Sequence, residues 1–269
     1  MSSQLIVIAL VITLACLFLK VPVFISIIAG AGVYFFAEPA VSTHLIVQRT
    51  LSGMQSVPLL AVPFFVYSGV LMNYAGVTQR IMDFCNVLTA DMWGGLAQVN
   101  ILLSTLMGGL SGSSLADAAM EAKMLVPEMR QKGMSNEFSS VVTAFSSSIT
   151  PLIPPGIGMI LYGSIGNVSI GQLFMSGLVV GIVLCAAMML LTAVIAKKRG
   201  YKPEASYKKG GRSQALGASL KRAVLPLCLP VIIIGGIRLG IFTPTEAGAV
   251  AVVYSIILGF IYGKLNRRN

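Results

Sequence analysis

Two short stretches hold most of the residues with chemistry to offer. One is GLSGSS at 109–114, followed by Asp117; the other is SSSITPLIPPG at 146–156. Small residues let two helix ends meet. A helix that stops in apolar surroundings leaves carbonyl oxygens at one end and N–H groups at the other. Free carbonyls together with hydroxyls suit a hard cation such as Na⁺, and N–H groups with the positive end of the helix dipole suit a carboxylate. In the second stretch Pro151, Pro154 and Pro155 fall within five residues. Proline lacks the N–H and clashes with the preceding turn, so a helix unwinds there. Ser147, Ser148 and Thr150 lie beside the break. Read singly, GLSGSS also fits a packing turn, and the proline cluster a kinked structural span. Asp117 fits a ligand, a helix-start acid or a partner of Lys123. Two breaks in consecutive elements favour a transport site, and an ionisable residue at membrane depth is a functional candidate.

Other chemistries are poorly supported. GLSG (109–112) matches a G-x-S-G protease pattern with Ser111 as nucleophile, but the single histidine, His44, falls in a different loop and leaves the serine without a base. One histidine also excludes an HExxH site. The four cysteines have no CxxC spacing and read as small apolar residues. The chain is therefore not read as an enzyme, and no metal is expected beyond Na⁺.

The elements that position these stretches are membrane elements. Of 269 residues 56% are hydrophobic and 10% charged, against about 25% charged in soluble domains. Nine of the 19 basic residues fall in Lys197–Arg222. A lipid-embedded protein with one basic loop accounts for the net charge of +10 without nucleic acid. Met1–Leu19 has no basic residue before its apolar run, so it reads as a retained span rather than a signal peptide.

A spanning helix needs about 20 apolar residues, and charge-free intervals mark the spans: 1–19, 21–37, Pro58–Asn73, a 59-residue interval at 138–196 that holds two, and then 223–240 and 244–262. Ser42–Ser56 reads as an interfacial helix or loop. Residues 75–92 have amphipathic spacing and read as a surface helix. Trp93–Arg130 is apolar, then Gly/Ser, then polar, which predicts a re-entrant hairpin. Gly177 and Gly181 form a GxxxG pair suited to close packing. Lys197–Arg222 and the basic C-terminus are placed inside by the positive-inside rule, and counting back puts Lys20 inside and the N-terminus outside only if the hairpin re-enters. The expected fold is an all-α integral membrane protein with a re-entrant helical hairpin and a broken helix. Its domains read as a first inverted repeat, 1–196 (surface helix 75–92, hairpin 93–130, broken span 137–165, span 172–196), a basic cytoplasmic loop 197–222, and the first two spans of a second repeat, 223–269.

Five segments in order, LLAVPFFVYSGVLMNYAG (59–76), GLSGSSLADAAM (109–120), ITPLIPPGIGMILYG (149–163), LFMSGLVVGI (173–182) and GIFTPTEAGAVAVVYS (240–255), resemble the large membrane (permease) subunit of tripartite ATP-independent periplasmic (TRAP) transporters. The resemblance covers nearly the whole chain. It implies a Na⁺-driven, elevator-type symporter in the bacterial inner membrane. Its substrates would be organic acids such as C4-dicarboxylates, sialic acid or sugar acids. Its partners would be a periplasmic substrate-binding protein and a small membrane subunit, with the N-terminus periplasmic and the C-terminus cytoplasmic. It points for Na⁺ or substrate binding to Ser111, Gly112, Ser113, Ser114, Asp117, Ser147, Ser148, Thr150, Pro151 and Pro155. Where the family often has an acid this chain has Val70. Family chains also continue past the FTPTEA segment, so an N-terminal part without the second hairpin and second broken helix is expected, and such a part should insert without transporting. The alternatives are an organic-anion carrier coupled to Na⁺ or H⁺ that uses no binding protein, and a non-transporting membrane fragment.

Overall fold

The structure, a computed structural model, describes residues 2–38, 42, 44–203 and 211–264. Among these the chain forms twelve α-helices and no strand. It divides into two compact units, 1–56 and 57–269.

The first unit holds α1 (Ser2–Phe18), α2 (Val23–Ala37) and α3 (His44–Met54). α1 and α2 pack on each other across a turn in which Lys20 takes a positive φ of 61° and Pro22 precedes the first turn of α2. Gly30 meets the Thr13 side chain where any Cβ would overlap it. These two helices are apolar but, at 17 and 15 residues, shorter than a full crossing. The segment expected as interfacial is α3, a helix with no buried residue.

The second unit starts with a 3₁₀ turn at Val57–Leu60 and continues through α4 (Ala61–Tyr74), α5 (Val77–Thr89), α6 (Gly95–Ser111), α7 (Ser114–Gln131), α8 (Asn136–Ser146), α9 (Ile157–Gly166), α10 (Ile170–Arg199), α11 (Gly211–Arg238) and α12 (Pro244–Ile261). The turn with α4, together with α10, α11 and α12, is long and apolar enough to cross a membrane. α8, the 3₁₀ turn Thr150–Leu152 and α9 form a further broken span bent by 44°. α10 has 30 residues, about 45 Å of helix. It exposes Val179, Val183 and Leu190, at 59%, 63% and 70%. Water does not reward such a face, and lipid does.

α6 is the centre of the unit and packs against α4, α5, α7, α8, α10 and α11. Thirteen of its 17 residues are buried. α6 ends at Gly112, φ +59°, and α7 begins two residues later, so the pair is a helical hairpin turning on the Gly/Ser segment. α12 packs on α4, where the Ser68 and Ser255 hydroxyls meet at 2.8 Å. Thr243 and Glu246 cap α12 reciprocally, with Pro244 in its first turn.

One expectation changes, and another gains a packing partner. Residues 75–92 are expected along the membrane surface. α5 is amphipathic as its spacing implies, but its apolar face (Val77, Ile81, Cys85) is fully buried in the protein. It packs against α6 and α11. Residues 197–222 were expected to be a loop. Lys197–Arg199 instead belong to the last turn of α10, and 211–222 belong to α11. Charge excludes these residues from lipid but not from helix, since Gln, Ala, Leu, Lys and Arg are all good helix formers. Residues 204–210 lie outside the described residues.

Glycines hold the break in place. A Cβ on Gly108 would lie 2.8 Å from both the Thr150 carbonyl oxygen and Ile153 Cβ. On Gly177 it would lie 2.7 Å from the Leu152 oxygen, and on Gly181 2.5 Å from Ile153 Cδ1. The GxxxG pair on α10 therefore packs against the unwound segment. Gly108→Ala should cost about 1–3 kcal/mol by overpacking, read as a lower melting temperature in detergent. Gly158→Ala, in α9 with nothing within 4 Å, should be neutral or slightly stabilising. Equal melting of the two variants would remove close packing as the reason for Gly108.

Candidate functional site

The hairpin and the broken helix meet in a buried polar seam. On α6, Asn100, Ser104 and Ser111 are spaced i, i+4 and i+11, about three turns along one face. On α7, Asp117 and Glu121 are one turn apart. On α8 and the turn after it, Thr143, Ser146 and Thr150 follow at i, i+3 and i+7. The three faces converge.

Asp117 is 2% exposed. The Ser111 hydroxyl donates to its Oδ1 at 2.8 Å, and the Thr150 hydroxyl to its Oδ2 at 2.7 Å. One carboxylate thus ties the hairpin tip to the helix break. Glu121, fully buried, lies within 2.7 and 2.8 Å of the Ser104 hydroxyl through its two oxygens, with the Ser146 hydroxyl at 3.5 Å. Ser146 also donates to Asn100 Oδ1 at 2.7 Å, and Asn100 Nδ2 donates to Thr143 Oγ1 at 2.7 Å. Among the described residues no basic side chain pairs with either acid. Lys123 is exposed and does not reach Asp117.

The backbone adds oxygens at the same place. A Cβ on Gly112 would sit 2.7 Å from the Pro155 carbonyl oxygen, and one on Gly109 3.2 Å from that of Pro154. Only glycine at the tip allows this approach of two backbones. Ser113 caps α7, its hydroxyl accepting from the Ala116 N–H at 3.4 Å.

A cavity of about 440 Å³ opens beside the tip. Its polar lining includes Asn73, Ser111, Ser113 and Asp117, and α4 contributes Gly69 and Val70. That volume is in the range of small-molecule sites.

Of the residues expected from sequence, Ser111, Gly112, Asp117, Thr150 and Pro155 come together at the tip and break. Ser113 lines the cavity, and Ser114 opens α7 at the hairpin turn. Pro151 lies in the 3₁₀ turn. Ser147 and Ser148 point elsewhere: they donate to the Ala144 and Phe145 carbonyls, 3.0 and 2.6 Å away, and satisfy the end of their own helix. Sequence reading missed Asn100, Ser104, Glu121, Thr143 and Ser146 as a set. Their one-face spacing on each helix was the available signal. Asn73 and Val70, neither given a role, also border the cavity.

Apolar helices long enough to span, with a helical hairpin and a broken helix joined by buried carboxylates, define an all-α, multi-pass integral membrane protein. Residues 10–269 match the family described as Tripartite ATP-independent periplasmic transporter, DctM component, and the chain belongs to that family as a large permease subunit. It is 42% identical over 250 residues to the sialic acid TRAP transporter large permease protein SiaM of Vibrio cholerae, covering 92% of this chain and 57% of that one. It is 40% identical over 266 residues to the sialic acid TRAP transporter permease protein SiaT of Haemophilus influenzae, covering 98% and 42%. To the 2,3-diketo-L-gulonate TRAP transporter large permease protein YiaN of Escherichia coli it is 36% identical over 235 residues, covering 87% and 54%. The chain thus spans about half the length of these relatives, which are transport permeases and not enzymes.

The seam makes an asymmetric prediction. Ser104→Ala leaves both oxygens of Glu121 without their closest donor, which should cost about 1–3 kcal/mol or more for a charged group. Ser104→Ala combined with Glu121→Met removes both partners at similar volume and should restore stability to near wild type. Melting curves decide: a double variant less stable than Ser104→Ala would mean that Glu121 is supported by groups other than Ser104.

Proposed function

We propose that this chain forms the Na⁺-binding and substrate-facing part of a secondary transporter that imports carboxylated sugars. The reading is carried by one observation: Asp117 is buried without a basic partner among the described residues, bridges the tip and the break, and borders the cavity. An uncompensated buried carboxylate costs several kcal/mol, and a bound monovalent cation offsets it. The donor chemistry suits Na⁺: a carboxylate, the Ser111 and Thr150 hydroxyls, and the backbone oxygens that the prolines leave without helical partners. Na⁺ would act as the coupling ion.

The N-terminal end of α7, capped by Ser113, supports a carboxylate-bearing substrate in the adjoining cavity. Two relatives are named for sialic acid and one for 2,3-diketo-L-gulonate, both acidic sugars. These names favour a sugar acid over a C4-dicarboxylate. The partners would be a small membrane subunit and a periplasmic binding protein. Residues 1–196 would be the first inverted repeat and 223–269 the start of the second.

The ion reading is tested on the purified chain by melting in NaCl against choline chloride at equal ionic strength. Na⁺ should raise the midpoint of the wild type. Asp117→Asn should abolish the shift and Thr150→Ala should weaken it. Ser148→Ala should keep it, because that hydroxyl serves its own helix. An undiminished Na⁺ response in Asp117→Asn would remove this carboxylate from ion binding.

Orientation follows from the basic residues. A single cysteine at position 202 should react with a membrane-impermeant thiol reagent only from the cytoplasmic side, and one at position 44 only from the periplasmic side, in a background where the native cysteines are serine. Labelling of both positions from the cytoplasmic side would overturn the re-entrant placement of α6 and α7, because reading them as one full crossing inverts everything before them and leaves position 202 where it is.

A further inference from the structure

A second cavity, of about 500 Å³, lies away from the polar seam, where α5, α11 and the end of α12 meet. Arg80, Lys221, Arg222 and Lys264 line it with a single acid, Asp83. The cations come from three separate elements. Arg80 lies over the Tyr262 ring, its guanidinium carbon 3.6 Å from the ring centroid, and donates one N–H to the Gly76 carbonyl at 3.3 Å. A Cβ on Gly76 would stand 3.6 Å from Arg80 Nη1 and 3.9 Å from Lys264 Cε. Two cationic side chains therefore converge over one glycine. Among the described residues none of the four cations is held in an ion pair, and Asp83 takes its hydrogen bond from Gln79 at 3.3 Å.

Like charges gathered around a cavity repel each other unless an anion lies between them. An arginine stacked on a ring keeps its remaining N–H groups at its edge, a geometry that matches two phosphate oxygens. Leu225 of α11 also lines the pocket. The Tyr262 and Tyr254 hydroxyls both donate to carbonyls of α11, at Arg222 (3.4 Å) and Leu225 (2.6 Å), so both rings lie along the same α11–α12 seam. Tyr254 also lines an apolar groove with Val250, Val253 and Ile257. Eight residues of helix separate the two tyrosines, about 12 Å of rise. A charged head at Tyr262 and a hydrocarbon chain past Tyr254 form the outline of a lipid.

We propose that this pocket binds the phosphodiester headgroup of an anionic phospholipid, with an acyl chain in the Val250–Ile257 groove. A free phosphate or a soluble phosphate ester would satisfy the cations but leave the groove unused. Basic pockets between membrane helices on the cytoplasmic side recognise anionic lipid in this way, and four of the chain's basic residues lie here, on the face assigned to the cytoplasm.

Native mass spectrometry of the purified chain tests the assignment, with dioleoylphosphatidylglycerol, dioleoylphosphatidylcholine, glycerol phosphate and inorganic phosphate as probes. Phosphatidylglycerol should stay bound about 25-fold better than phosphatidylcholine, from two cationic contacts at roughly fivefold each, and the two phosphates should not bind. Arg80→Gln with Lys264→Gln should lower phosphatidylglycerol retention by about 25-fold. Lys197→Gln with Lys198→Gln, which removes the same charge from the end of α10, should not. If the first pair does not fold, Lys221→Gln with Lys264→Gln, both exposed, takes its place with the same expectation. Equal retention of the two lipids overturns the proposal. So does inorganic or glycerol phosphate binding as well as phosphatidylglycerol, which would leave an anion site without a lipid. An equal loss in the Lys197/Lys198 variant also overturns it, because general surface charge would then explain the binding.

Discussion

Two carboxylates buried one turn apart, with hydroxyls and amides for company and no cation among the described residues, are the constraint around which the second unit is arranged. Each must find donors inside the protein, because an ionisable group left bare in such surroundings costs several kcal/mol. The donors are side chains on α6 and at the end of α8, so those helices have to present their polar faces to α7 in register. The interior is accordingly mixed: Ile101, Leu103 and Leu125 are fully buried on the same helices that bury Asn100, Ser104 and Glu121. Apolar packing holds the three helices together, and the polar seam selects one axial alignment among several that apolar packing alone would tolerate.

That alignment depends on backbones approaching more closely than side chains would allow. The unwound segment after α8 is flanked by Gly108, Gly109 and Gly112 of α6 on one side and by Gly177 and Gly181 of α10 on the other. Prolines make the break, and glycines let neighbouring helices close over it. Pro230 of α11 also reaches this place: a Cβ on Gly109 would lie 2.5 Å from its Cγ. A peptide without helical hydrogen bonds is tolerated at membrane depth only when protein or a water-filled cavity surrounds it. Here protein surrounds it.

Much of this architecture could be read from composition and punctuation. Charge-free runs located the helices because lipid excludes charge. GLSGSS and SITPLIPPG located the turn and the break because glycine and proline act locally, whatever packs around them. Asp117 and Thr150 could be named because each lies beside a break. Glu121 and Asn100 could not be named that way. They sit in unbroken helix, and their role exists only once three faces meet. Spacing along each helix carried that information weakly, and the pairing of faces is a tertiary fact. The helical part of 211–222 was hidden for a different reason: the positive-inside rule reports which side of a membrane a residue occupies and says nothing about its backbone. The packing partner of α5 was hidden because an amphipathic helix looks the same whether its apolar face meets lipid or protein.

Asp117 and Glu121 are equally hidden from solvent but differently tied. Both oxygens of Glu121 lean on Ser104, a residue inside regular helix, and the neighbouring Ser146 and Asn100 extend the same rigid contact. A shift of the hairpin tip leaves that set intact. The oxygens of Asp117 are divided between Ser111, in the last turn of α6, and Thr150, at the start of the break. Any displacement of the tip relative to the break stretches one of those two bonds. The cavity opens at that end of the seam and not at the other. A group that alters the geometry or charge around Asp117 therefore acts on the one joint in the seam whose partners lie on two discontinuous elements. Glu121 keeps the helices behind that joint together as a single body.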